Sequence, residues 1–151
     1  MLNSEDRAIL RRLQAQPDLT MPELAELVGS SPAKVTRRVE RLQADQVIRG
    51  SRWEIDWRAL GFDVFVSLRI TLDKTVPNAF DEFLRAARDV NHVLEIQTFL
   101  GRVDVRLSLI ASDLADYQAI YRTRILTLPH IADVEALMDV SNLKTNRDLP
   151  L

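Results

Sequence analysis

An α+β chain in two parts is predicted by three observations. Residues 1–56 carry apolar side chains at helical spacing in three short runs. The stretch that follows switches to apolar alternation of period two, interrupted by two further helical runs. The charge is also divided: residues 1–52 hold nine Lys/Arg against seven Asp/Glu, and residues 53–151 hold eleven against fifteen.

The first helix is predicted from Ser4 to Ala15. Ile9, Leu10 and Leu13 share a face, and Glu5 and Asp6 sit in the first turn, where the helix dipole favours negative charge. Pro17 and Asp18 end it. Thr20-Met21-Pro22-Glu23 has the spacing of a capping box and opens a second helix that carries Leu24, Leu27 and Val28 inward. That helix stops at Gly29, which tolerates the left-handed turn a helix end needs.

Ser31 is the expected N-cap of the third helix, with Pro32 at its first position. Val35, Val39 and Leu42 form its inward stripe. Ala33, Lys34, Thr36, Arg37 and Arg41 fall on or near the opposite face, and Arg38 at its flank. A helix, a short Gly turn and a second helix make a helix-turn-helix, whose second helix enters the major groove of DNA. Thr36 and Arg37 are the expected base readers beside the small Ala33. Lys34, Arg38 and Arg41 are the expected phosphate contacts. Residues 47–56 read as two short strands around Gly50-Ser51, a wing that brings Arg49 and Arg52 to the backbone.

Residues 57–61 are the expected connector, and residues 62–151 the second domain. Phe62, Val64, Val66, Leu68, Ile70 and Leu72 alternate with mostly polar partners, as a half-buried strand does. A helix begins around Pro77 with Phe80, Phe83, Leu84 and Ala87 on one face. Strands follow at 93–100 and 103–111, joined through Gly101-Arg102. Asp113 caps a helix carrying Leu114, Tyr117, Ile120, Tyr121 and Leu128, with Asp116 in its first turn. A last strand spans 131–140, and a polar tail spans 141–151. The order βαββαβ is that of a ferredoxin-like domain. Its helices cover one sheet face only. The other face is expected to carry Phe65, Val93, Phe99 and Ile110 among Ser67, Arg69, Glu95, Gln97 and Arg106. So much apolar surface calls for a partner, and a sheet-to-sheet homodimer is the expectation.

Composition closes off other classes. With 46% hydrophobic and 28% charged residues the chain is expected to be globular. There is no cysteine, so thiolate metal sites, disulfides and cysteine nucleophiles are excluded. No apolar run is long enough to span a bilayer, and the N-terminal residues lack the layout of a secretory signal. A cytoplasmic location is expected. No cofactor, metal site or catalytic group is expected either. His92 and His130 lie far apart in the sequence, and Asp113 and Asp116 read as helix caps rather than ligands.

Asp6-Arg7-Ala8-Ile9-Leu10 with Leu13, Glu23-Leu24-Ala25, Val28-Gly29-Ser30-Ser31-Pro32, Arg37-Arg38-Val39-Glu40-Arg41-Leu42, Val47-Ile48-Arg49-Gly50 and Ala59-Leu60-Gly61 occur in this order and spacing. On these residues the chain resembles the Lrp/AsnC (leucine-responsive regulator/asparagine regulator) family along essentially its whole length. The resemblance implies a DNA-binding transcription regulator with a domain that senses amino acids or related small molecules and builds dimers and often octamers. The family's sensing loop reads Gly, a polar residue, an aromatic, then Asp. Gly101 and Asp104 match, whereas Arg102 and Val103 depart. Arg102 is then the expected holder of an effector carboxylate, with Asp104 orienting the loop or holding an amino group; the alternative is an ordinary hairpin on which both are surface charges. Two other readings belong to different classes. One is a sirohaem decarboxylase of related layout, which would need converging His and Arg. The other is an architectural assembly protein that leaves DNA unread.

Overall fold

The computed structural model describes residues 2–141 and 149–151. They form two compact units. The first comprises residues 2–54 with 149–151, and the second residues 55–141.

The first unit holds α1 (Ser4–Ala15), α2 (Met21–Val28) and α3 (Pro32–Ala44). Each start has a local cause. Asn3 caps α1 in a reciprocal box with Asp6, and Thr20 caps α2 in one with Glu23. Gly29 ends α2 at φ 69, a conformation that costs glycine little. Ser31 occupies the N-cap position of α3, but its hydroxyl makes no capping bond, and Pro32 at the first position does the pre-ordering. The inward stripes meet in a core of Ile9, Leu24, Ala25, Val35, Val39 and Leu42. Leu27, expected inward, is exposed, because Leu24 and Ala25 take the buried face of α2. The tail was expected to belong to the sheet domain. Its last residues instead bond to α1: Leu149 N–H donates to Gln14 Oε1 at 2.8 Å, and Arg11 Nε donates to the Leu151 carbonyl at 3.0 Å. Residues 142–148 of that tail lie outside the described residues.

The wing is corrected. Residues 47–56 contain no strand. Val47 and Ile48 N–H groups return to the Leu42 carbonyl at 2.9 and 3.0 Å, closing the end of α3, and residues 49–56 then run on without backbone pairing among the described residues. The physical reason is visible in Trp53 and Ile55, which are 87% and 68% exposed. A two-stranded hairpin with no buried face has little to hold it.

The second unit opens with a short 3-10 turn at Arg58–Leu60 and then runs β1 (Val64–Leu72), α4 (Ala79–Arg88), β2 (Val93–Thr98), β3 (Val105–Ala111), α5 (Leu114–Ile120) and β4 (Ile131–Met138). A π-helical turn, Tyr121–Ile125, extends α5. The sheet order is β2-β3-β1-β4 with every neighbour antiparallel, the ferredoxin-like topology. Val66, Leu68, Ile70 and Leu72 of β1 join Leu107 and Leu109 of β3 against Phe83, Ala87, Tyr117, Ile120 and Ile125 from the helical layer. Asp113 caps α5 by accepting from Asp116 N–H at 2.8 Å.

Three facing expectations change in this unit. Val93 packs on the helix-covered core, not on the open face, because a bulge between Val93 and Glu95 inverts the alternation of β2. Phe80 and Leu114 lie in the first turns of α4 and α5 and are exposed, while Ala79, Phe83 and Ala87 bury α4. The remaining open face carries Phe65 opposite Ile110, Ser67 between Ser108 and Leu137, and Arg69 between Arg106 and Glu135.

Candidate nucleic-acid interface and effector loop

The outward face of α3 divides into two kinds of cation. Arg37 is exposed and makes no ion pair or side-chain hydrogen bond among the described residues. Lys34, Arg38 and Arg41, by contrast, all turn to carboxylates of α1. Arg38 Nη1 lies 2.9 Å from Asp6 Oδ1, and Arg41 Nη2 lies 2.7 Å from Asp6 Oδ2. Arg38 Nη2 reaches Glu5 Oε2 at 2.7 Å, and Lys34 Nζ reaches the same oxygen at 3.1 Å. Glu5 Oε1 also accepts from the Ser30 hydroxyl at 2.8 Å.

This places α1 and α3 in one charged network with a buried centre. Asp6 is fully buried. Burial alone would raise its carboxyl pKa, but hydrogen bonds from the Asn3 N–H, Arg38 and Arg41 outweigh it and hold the group below its ordinary value. Glu5 is lowered by hydrogen bonds from Ser30 and Lys34, with Arg38 adding its charge. Arg38 itself is mostly buried, and its Nε has no partner among the described residues. Sequence reasoning placed Arg38 at the flank of the helix as a phosphate contact. The geometry gives it an internal role as well, which depends on carboxylates 32 and 33 positions away in the chain and invisible to helical periodicity. The local sign was the Asn3–Asp6 spacing of a capping box; nothing local links Asp6 to α3.

Asn3, Ser31, Ala33, Lys34, Arg37, Arg38 and Arg41 line a shallow depression of about 450 Å³ on this unit. Ala33 is exposed and Thr36 half-buried. Arg49 and Arg52 are exposed on the unpaired stretch after α3, without ion pairs among the described residues. An exposed cationic helix face of this form fits the phosphates and base edges of a duplex.

In the second unit, Gly101, Arg102 and Asp104 lie between β2 and β3. Asp104 is anchored, not free: its Oδ2 accepts from Leu72 N–H at 2.9 Å, and its Oδ1 lies 3.3 Å from Lys74 Nζ. The Arg102 carbonyl accepts from the Thr71 hydroxyl at 3.1 Å, so the loop is pinned to β1. The Arg102 side chain is exposed and makes no ion pair among the described residues. Asp104 and Lys74 border a pocket of about 360 Å³ with Leu72, Asp73, Asn78 and Phe80. Lys74 was missed in the sequence because only the strand pairing brings it to the loop. The two histidines do not converge: His130 pairs with Glu82, while His92 lines a separate pocket with Asn91 and Arg124. No cluster with the makings of a metal site occurs among the described residues.

Family comparison decides the class. Residues 2–49 match a winged helix-turn-helix DNA-binding model, and residues 64–149 match the Lrp/AsnC ligand binding domain. The chain belongs to the Lrp/AsnC family. It is a DNA-binding transcription regulator and not an enzyme. Over 150 residues it is 29% identical to the leucine-responsive regulatory protein of Haemophilus influenzae, covering 99% of this chain and 90% of that one. It is also 29% identical over 150 residues to the glutamate uptake regulatory protein of Zymomonas mobilis, covering 99% and 91%. Among solved structures, an AsnC family transcriptional regulator from Agrobacterium tumefaciens superposes with a TM-score of 0.88 at 28% identity, covering 99% and 97% of the two chains. A transcriptional regulator from Neisseria meningitidis, solved as an L-Met complex, gives 0.92 at 23% identity over the same shares and is a likeness of fold. No helix among the described residues of this Lrp/AsnC regulator is long and apolar enough to cross a membrane.

Proposed function

We propose that this regulator reads double-stranded DNA by sequence through α3, under control of an amino acid or a related small molecule. The observation that carries the DNA reading is Arg37, exposed on α3 beside Ala33 and free of intramolecular ion pairs among the described residues. Arg37 and Thr36 read base edges, and Arg41, Lys34, Arg49 and Arg52 hold phosphates. Arg38 supports the face from within, because its guanidinium spans Glu5 and Asp6. The chain works in the cytoplasm, where its DNA is.

For the effector, Arg102 supplies the guanidinium fork for a carboxylate, while Gly101 and the anchored Asp104 set the loop that presents it. The Neisseria meningitidis relative bound to L-Met supports an amino-acid ligand. The chain forms a homodimer through the open sheet face, where Leu137 is exposed beside Ser67, and the family resemblance implies further assembly as octamers. A two-fold dimer also supplies the paired α3 helices that two half-sites require. Footprinting the purified protein on its genomic DNA, with and without a pool of amino acids, tests the reading. Discrete protected sites that shift with one amino acid are expected; uniform or absent protection contradicts it.

A further inference from the structure

We infer that Glu5 is an intramolecular competitor for DNA phosphate at Lys34, and so limits how tightly the regulator holds DNA of any sequence. The inference rests on the assignment of α3 to DNA and adds a residue of α1 to its control.

Three cations of α3 face two carboxylates of α1, and the two carboxylates differ. Asp6 is sealed: it is fully buried, and both of its oxygens are taken by Arg38 and Arg41. Glu5 lies at the rim, 21% exposed, and one of its oxygens is shared between Arg38 and Lys34. Arg38 keeps Asp6 if Glu5 lets go. Lys34 has no second carboxylate among the described residues, and its side chain is 57% exposed on the wall of the α3 depression. An exposed Lys–Glu pair is weakly held, and a compact ammonium on a flexible stem can swing to a phosphate.

The exchange has a cost that is independent of sequence. When Lys34 leaves for a phosphate, Glu5 loses a partner while phosphate charge approaches. Its carboxylate then takes up a cation from solution, offsetting part of the counterion release that drives binding. Contacts to base edges are untouched by this exchange. Glu5 therefore lowers specific and non-specific affinity together, which keeps non-specific occupancy low while Arg37 retains the discrimination.

The test is a double-mutant cycle on the full chain, Glu5→Gln and Lys34→Gln singly and together. Binding to a random-sequence duplex is followed by fluorescence anisotropy over a salt series, with thermal melting of each variant alongside. Glu5→Gln is expected to tighten binding about three- to fivefold. It is expected to steepen the log–log salt dependence by up to about one. In the Lys34→Gln background most of that gain should vanish. A gain of equal size with and without Lys34 means that Glu5 acts only as a distant repulsive charge, and it overturns the inference. So does unchanged or weakened binding by a Glu5→Gln protein that melts normally. If Glu5→Gln melts early, Lys34→Gln alone decides. Loss of the Lys34 ammonium should then weaken binding by less than Arg49→Gln does, because Glu5 already discounts Lys34 whereas Arg49 makes no ion pair among the described residues; a loss as large as that of Arg49 contradicts the inference. Arg37→Ala, measured for discrimination between an in vitro selected duplex and the random one, separates the two readings. Altered discrimination without Glu5–Lys34 coupling defeats the Glu5 inference alone, and unaltered discrimination defeats the assignment of α3.

Discussion

Asp6 and Arg41 lie 35 positions apart in the chain, and Arg41 Nη2 donates to Asp6 Oδ2 at 2.7 Å. With Arg38 on the other oxygen, this single buried carboxylate ties the first helix of the DNA-binding unit to the third. A buried charge held by two guanidiniums is costly to disturb, because removing it strands its partners. Asp6→Asn should destabilise the first unit by about 3 kcal/mol, read as an earlier denaturant midpoint of its helical signal. The pH dependence follows from the direction of the shift. The folded Asp6 value is lowered, so its stabilisation is present above the unfolded carboxyl value, about 3.9, and is lost as pH falls through the folded value. Acid unfolding of this unit should therefore flatten in Asp6→Asn; an unchanged acid limb means that Asp6 is not the titrating group.

The start of α2 rests on the Thr20–Glu23 box, in which Thr20 N–H donates to Glu23 Oε2 at 2.8 Å and Glu23 N–H donates to Thr20 Oγ1 at 3.4 Å. Thr20→Ala should cost about 1 kcal/mol of unit stability, and Thr20→Ser should restore most of it. Equal melting of the Ala and Ser variants argues that the box contributes nothing.

Much of this was readable from residue order. Val35, Val39 and Leu42 are buried as their spacing predicts, and Val66, Leu68, Ile70 and Leu72 likewise, because one periodicity governs each run. What failed did so where a single residue or a distant partner decides. One extra residue in β2 turned Val93 inward. The stretch around Gly50 has turn chemistry, but its Trp53 and Ile55 stay exposed with no core to bury them, so strands do not form. The inward role of Arg38 and the anchoring of Asp104 by Lys74 both come from tertiary pairing, which neither spacing nor composition encodes.

The open sheet face offers a test of assembly. Leu137 lies beside Ser67 in the β1–β4 register and is 36% exposed. The proposed sheet-face dimer should give way to monomer in Leu137→Glu by light scattering, while far-UV circular dichroism stays unchanged. A dimer that persists at the same concentration places the interface elsewhere.

Arg102 is the test of sensing. Isothermal titration should show heat with at least one amino acid, and Arg102→Ala should weaken that binding by about tenfold or more, in line with loss of a charge-assisted contact. No heat from any amino acid, or full retention in Arg102→Ala, removes the loop from the effector site.

The most direct measurement is competition binding of Arg37→Ala against wild type, on a selected duplex and on a scrambled one at fixed salt. The groove assignment of α3 predicts that the ratio of the two affinities collapses by about 1–3 kcal/mol, while binding to the scrambled duplex falls only modestly. An unchanged ratio, with both affinities reduced alike, would mean that Arg37 touches only phosphate and that α3 does not read the sequence.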